Sequence, residues 1–147
     1  MKKYFNLSRY EELLKLEENG DISFLDLELL SLRASVEHQI RYKRKKDYLL
    51  LIKKYLNQII TLDEFRSKFS RMERNDSEKA AMLLENPQAL EFFILAKDLD
   101  KFSDSIGEIS TLCFEYDEVW DGTIEKMSEN TFYSLVHDHY LQLENFK

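Results

Sequence analysis

The chain has 147 residues and a net charge of −7, with 44% hydrophobic and 13% aromatic residues. That length supports one domain with a core of its own, and that apolar content excludes a disordered chain. The acidic balance excludes general nucleic-acid affinity, which needs a surplus of Lys and Arg, and suits a basic partner. Three Gly and one Pro leave few breakers, so long helices are favoured over a strand-and-turn fold. The expected fold class is all-α, a single-domain bundle of long antiparallel helices over 1–147 with no sheet.

The opening "MKKYFNLSRYEELL" lacks the apolar centre and small-residue cleavage site of a secretory signal. Ser8 with Glu11 reads as a capping box for a first helix, which "ENGD" at 18–21 closes. Ser23 with Asp26 opens the next, with Leu25, Leu29, Leu32, Val36 and Ile40 as its apolar stripe. The stripe meets the basic block "RYKRKKD" at 41–47, where the helix either runs on to about Asn57 or breaks. The absence of Gly and Pro there favours a continuous helix over 23–57. The block could touch RNA or an acidic surface, but five bases in six residues spread around a helix, so pairing with the chain's own acids is favoured. The longest apolar run, "YLLLI" at 48–52, is too short to span a bilayer.

In "YLNQIITLDEFRSKFSRM", residues 55–72, one helix ends and another begins. Thr61 and Glu64 form a capping box, and Leu62, Phe65, Phe69 and Met72 then recur at helical spacing. Tyr48, Leu51 or Ile52, Tyr55 and Ile59 supply the matching face before the corner. Asn86 and Pro87 mark a further start. Beyond them Phe92, Leu95, Leu99, Phe102, Ile106, Ile109, Cys113, Tyr116 and Trp120 follow steps of three and four. That spacing predicts one helix from 87 to 120, roughly 50 Å long. Ser128 is expected to cap a last helix carrying Phe132, Leu135, Val136, His139, Leu143 and Phe146.

Candidates for chemistry are few. Two histidines in "HDH" at 137–139 point about 200° apart on a helix and cannot share one ion. Cys113 falls on the apolar stripe, where a free cysteine behaves as a small hydrophobe. No HExxH, P-loop, GxGxxG or GxSxG occurs. We therefore expect no enzyme activity, no cofactor and no metal. A single cysteine excludes an internal disulfide and points to a reducing, cytoplasmic compartment.

The informative feature is acidic. Asp100, Asp104, Glu108, Glu115 and Glu118 lie opposite the apolar stripe of the long helix. Like charges four residues apart destabilise a helix, and no lysines alternate with these acids. A solvated face is one explanation, and a ridge for a basic partner is the other.

"YLNQIITLDEFRSKFSRM" and "MSENTFYSLVHDHYLQLENF" resemble an early segment and the closing helix of colicin D-type immunity proteins, over about 48–146. The resemblance implies an immunity-like helical core at 48–147 behind an N-terminal helical extension at 1–47. It also implies a small acidic protein that occludes the active site of a basic, tRNA-cleaving toxin. The alternative is a non-catalytic accessory or assembly subunit docking on a larger complex through aromatic-rich helix faces. Neither reading needs direct nucleic-acid or membrane contact.

Overall fold

Helices carry the fold, an all-α helical bundle. The computed structural model describes residues 2–117 and 127–146. It places six helices there: α1 (Leu7–Glu18), α2 (Leu27–Lys43), α3 (Lys45–Leu56), α4 (Leu62–Glu85), α5 (Leu99–Asp117) and α6 (Glu129–Leu143). The expectation of no sheet is corrected by one short ribbon, in which β1 (Lys3–Tyr4) pairs antiparallel with β2 (Ile94–Leu95). The chain gathers into two compact units, 1–42 with 74–99 and 43–73 with 100–147. The expected extension over 1–47 thus shares most of its length with a later segment.

In the first unit, α1 starts at Asn6, whose side chain accepts from the Arg9 amide. The cap is therefore Asn6 rather than Ser8. After α1, Gly20 takes φ 79°, and the Gly20 and Asp21 amides donate to the Glu17 and Leu16 carbonyls. This is a Schellman ending, with glycine where the left-handed turn needs it. α2 is capped by Asp26, which accepts from the Leu29 amide, while Ser23 bonds only within the preceding turn. Leu25 falls before that cap and is exposed. Phe5, Tyr10, Leu13, Leu29, Val36, Ile40, Ala80 and Leu90 form the core of this unit. Arg9 clamps Glu28 with two bonds of 2.7 and 2.8 Å, which hold that carboxyl below its usual range.

The continuous helix expected over 23–57 breaks at Arg44, which takes φ −99° and ψ 17° and starts α3 as its N-cap. Like charges three and four apart in the basic block each cost a few tenths of a kcal/mol in a helix. A break can therefore form there without Gly or Pro. The helix expected over 87–120 also breaks. Pro87 opens only a four-residue 3-10 turn, Pro87–Leu90, and Asn86 makes no side-chain cap. Phe92 and Asp98 then take φ values of 60° and 61°, which no α-helix contains. Phe92 is exposed, whereas Phe102, Ile106, Ile109 and Cys113 are buried as their spacing predicts. Trp120 lies outside the described residues.

The second unit is built on aromatic packing. Tyr55 stacks on Phe65 at 4.9 Å, and Phe132 of α6 meets both rings edge-on. Tyr48 packs against Phe69, and Phe102 against Phe146 in the 3-10 turn that follows α6. The Thr61–Glu64 capping box is present: the Glu64 amide donates to Thr61 Oγ1 at 3.1 Å, and the Thr61 amide to Glu64 Oε1 at 3.4 Å. Ser128 caps α6 by accepting from the Thr131 amide at 3.1 Å. Ile59, expected on the apolar face, is 68% exposed because α3 has already ended at Leu56.

Candidate functional site

α5 carries the acidic ridge. Asp100, Asp104, Glu108 and Glu115 are all exposed on it, within an arc of about 80° at 100° per residue. Glu118 lies outside the described residues. The buried face of the same helix, with Phe102, Ile106, Ile109 and Cys113, fixes the direction in which these carboxylates project. Lys101 is the only base between Leu99 and Asp117. Asp100 sits in the first turn, where a negative charge suits the helix dipole, but Glu115 sits in the last, where it opposes it. Gly107 lies exposed within the ridge, with open space where a Cβ would stand.

One ridge member has a neighbour on α6. Glu108 Oε2 stands 2.9 Å from His139 Nδ1, outside the angular range of a hydrogen bond, and His139 retains 18% side-chain exposure. His139 is therefore a boundary residue facing an acid, and His137 is exposed. Among the described residues no cluster of His, Cys, Asp or Glu is arranged to hold a metal ion. Cys113 is buried, and its carbonyl accepts from Arg66 Nε at 3.2 Å.

Beside the ridge, α4 and α5 form a groove of about 540 Å³ lined by Asp63, Arg66, Ser67, Ser70, Ser110, Cys113 and Phe114. Phe114 is 65% exposed at the edge of the acidic arc. The Arg66 guanidinium lies 5.2 Å from the centre of the Tyr116 ring. The ridge is thus bordered by an aromatic side chain on one side and by the His139 contact on the other.

A second concavity lies at the corner between α3 and α4. It measures about 530 Å³, and Tyr55, Gln58, Ile59, Glu129, Asn130 and Tyr133 are among its walls. α3 ends in a Schellman loop in which Gln58, not glycine, takes φ 60°. Its Gln58 and Ile59 amides donate to the Tyr55 and Lys54 carbonyls. The Tyr133 hydroxyl donates to the Leu56 carbonyl at 2.6 Å, which satisfies one of the helix-end acceptors. The Tyr55 hydroxyl, by contrast, is buried without a hydrogen-bond partner. Burial, reinforced by the Glu129 carboxylate, pushes it up to about 12. In the sequence Tyr55 belongs to the apolar face before the corner, and Glu129 only adds negative charge near a helix end. Only tertiary structure brings two residues so far apart in the chain to one cleft.

The basic block contributes little open charge. Arg41 bonds to Glu37 and Ser77, and Arg44 reaches Asp47 at 3.5 Å. Among the described residues no helix is long and apolar enough to cross a membrane. No protein-family model, curated protein or solved structure matches this chain.

Proposed function

We propose that this protein is a non-catalytic binding module whose α5 ridge docks on a basic protein surface. A nuclease toxin of the tRNA-cleaving kind is the partner that the immunity-like segments favour. The observation that carries the reading is the one-sign ridge: four exposed carboxylates in one arc, with one base in the helix. A chain selected for helix stability alone would alternate Glu with Lys and keep acids out of the last turn. A partner bearing Lys and Arg turns that local cost into attraction and faster encounter. The ridge would stand in for the phosphates of the toxin's substrate. Binding would take place in a reducing cytoplasm, where Cys113 stays a thiol.

The test is one multiple variant, Asp100→Asn, Asp104→Asn, Glu108→Gln and Glu115→Gln, measured for both stability and binding. Relief of the Asp100–Asp104 and Asp104–Glu108 repulsions and of Glu115 in the last turn should each add a few tenths of a kcal/mol. Loss of the Asp100 charge from the first turn offsets part of this, so stability should change by less than about 1 kcal/mol. Capture and inhibition of a basic tRNA-cleaving nuclease domain should weaken, most visibly at low salt. Unchanged affinity, or no salt dependence, would leave the ridge as a solvated face. A second reading, an accessory subunit, is favoured by the exposed aromatic patch of the first unit. There Phe92, 76% exposed, packs edge-on against Tyr4 with Ile94 nearby in β2. Such a docking site would hold its partner as salt rises.

A further inference from the structure

We propose that the exposed face of the β1–β2 ribbon is a self-association surface, on which a second copy of this chain packs about a two-fold axis. The surface lies wholly in the first unit and does not depend on the ridge. It also gives the aromatic patch a different occupant from the larger complex of the second reading. Side chains alternate along the ribbon, so Phe5 and Phe93 turn to the core while Tyr4 and Ile94 turn to solvent. Phe92 joins the solvent side, where it is 76% exposed and edge-on to Tyr4. Its φ of 60° is a left-handed conformation in which an aromatic residue is an outlier. Two bonds hold it there, from the Phe93 amide to the Leu90 carbonyl and from the Phe5 amide to the Phe93 carbonyl. A ring held in water on a strained backbone points to a function outside the monomer's own packing.

Shape, area and charge select a second copy as the occupant. Phe92 stands at the rim of a cavity of about 460 Å³, whose walls include Tyr4, Phe5, Leu7 and Glu91. A benzene ring needs only about 150 Å³. A surface with both a projecting ring and a hollow that admits one is complementary to itself, as a two-fold interface must be. One rotation seats each Phe92 in the other copy's cavity.

The area is sufficient. Tyr4, Phe92 and, just ahead of α2, Phe24 leave roughly 400 Å² of aromatic-residue surface in water. Leu25, Leu27, Leu30 and Ile94 add to it. The Arg9–Glu28 clamp ties the start of α2 to the first turn of α1, whose Leu7 and Ser8 also line the cavity. These side chains therefore share one end of the unit. Their total passes the roughly 300–600 Å² of the largest patch on a typical monomer and comes near the ~800 Å² per partner of a stable interface.

Charge completes the argument. Two copies of a chain with net charge −7 repel unless they meet where charge is balanced. The ribbon and its flanks are such a place, with Lys2, Lys3 and Lys97 exposed alongside Glu91 and Asp98. A strongly basic or strongly acidic partner would meet like charges there as well as opposite ones. A two-fold axis instead sets Lys2 of one copy against Glu91 of the other, twice.

The experiment is sedimentation equilibrium of the whole chain, over about 1–300 µM, where an interface of this size should show monomer and dimer together. Dimerisation should hold or tighten as salt rises, because screening relieves the net repulsion while apolar contact persists. Phe92→Gly removes the ring and suits the left-handed backbone. That variant should fold at least as stably as the wild-type monomer, yet dimerise roughly thirtyfold more weakly or worse. At low salt, Lys2→Glu and Glu91→Lys should each weaken dimerisation about two- to tenfold. Mixed together, the two charge variants should pair with each other, since both contacts then join opposite charges. The four-residue ridge variant, being less negative, should dimerise at least as well as wild type. A chain monomeric throughout, a dimer indifferent to Phe92→Gly, or a mixture no tighter than either charge variant alone would overturn the proposal. Loss of the dimer in the ridge variant would move the interface to α5 and overturn it too.

Discussion

Helices α1 and α3 end in the same hydrogen-bonded loop but with different residues at its left-handed position. α1 uses Gly20, and α3 uses Gln58. The chain after Gly20 is lightly packed, with Phe24, Leu25 and Leu27 exposed, so the backbone alone makes that corner. The chain after Gln58 leads into Leu62 and Phe65, both buried, and its loop forms a wall of the corner cleft. A side chain in the left-handed region costs roughly 1–2 kcal/mol relative to glycine. The first corner avoids that cost. The second accepts it, and gains an amide beside Tyr55 and Glu129.

The widest separation between the corners should come from their apolar contents. Phe65→Ala should cost about 3–5 kcal/mol by emptying the aromatic cluster, while Leu25→Ala should stay within about 0.5 kcal/mol. Equal effects in urea unfolding would mean that both corners depend on the core alike. Next, Gly20→Ala should destabilise by roughly 1–2 kcal/mol, from backbone strain alone, since nothing stands within 4 Å of the added Cβ. Removing the cap with Thr61→Ala should cost about 1 kcal/mol, read from the same midpoint shift.

Gln58→Gly should act in the opposite sense and stabilise by about 0.5–1 kcal/mol, because released strain outweighs the added freedom of the unfolded chain. A loss of stability there would show that the Gln58 side chain contributes more than its strain costs. The smallest effect is Tyr55→Phe, near zero at pH 7 and dependent on pH above that. The wild-type hydroxyl titrates near 12 when folded, against 10.0 ordinarily. Its contribution is present in full below about pH 10 and is lost as the pH rises through 12. The variant lacks that loss, so wild type should weaken relative to it between pH 10 and 12. Parallel curves would place the Tyr55 hydroxyl in a solvated setting.

What the sequence conveyed depended on the range of the forces involved. The Thr61–Glu64 box, the Ser128 cap and the Phe102–Cys113 stripe were legible because each lies within a few turns of one helix. Upstream of Leu99, which α5 includes and buries, the stripe fails: Phe92 and Leu95 keep helical spacing although a ribbon pairs Ile94 and Leu95 with Tyr4 and Lys3. No local signal marks such a pairing. At Arg44 the break had no glycine or proline to announce it. The acidic ridge was visible as a period and projects as expected from α5. Its contact with His139, and the meeting of Tyr55 with Glu129, depended on where α6 comes to lie.

Neither compact unit is continuous in the chain, since each joins an early stretch to a late one. This matters while the protein is being made. The first unit has all its parts once residue 99 has been added, whereas the second waits for 100–147. At typical elongation speeds that interval lasts roughly 2 to 10 s. Until residue 132 is added, Tyr55 and Phe65 lack Phe132, the ring that covers them in the finished fold. The nascent chain therefore presents an aromatic surface that a chaperone, or a second nascent copy on the same message, can reach before α6 exists.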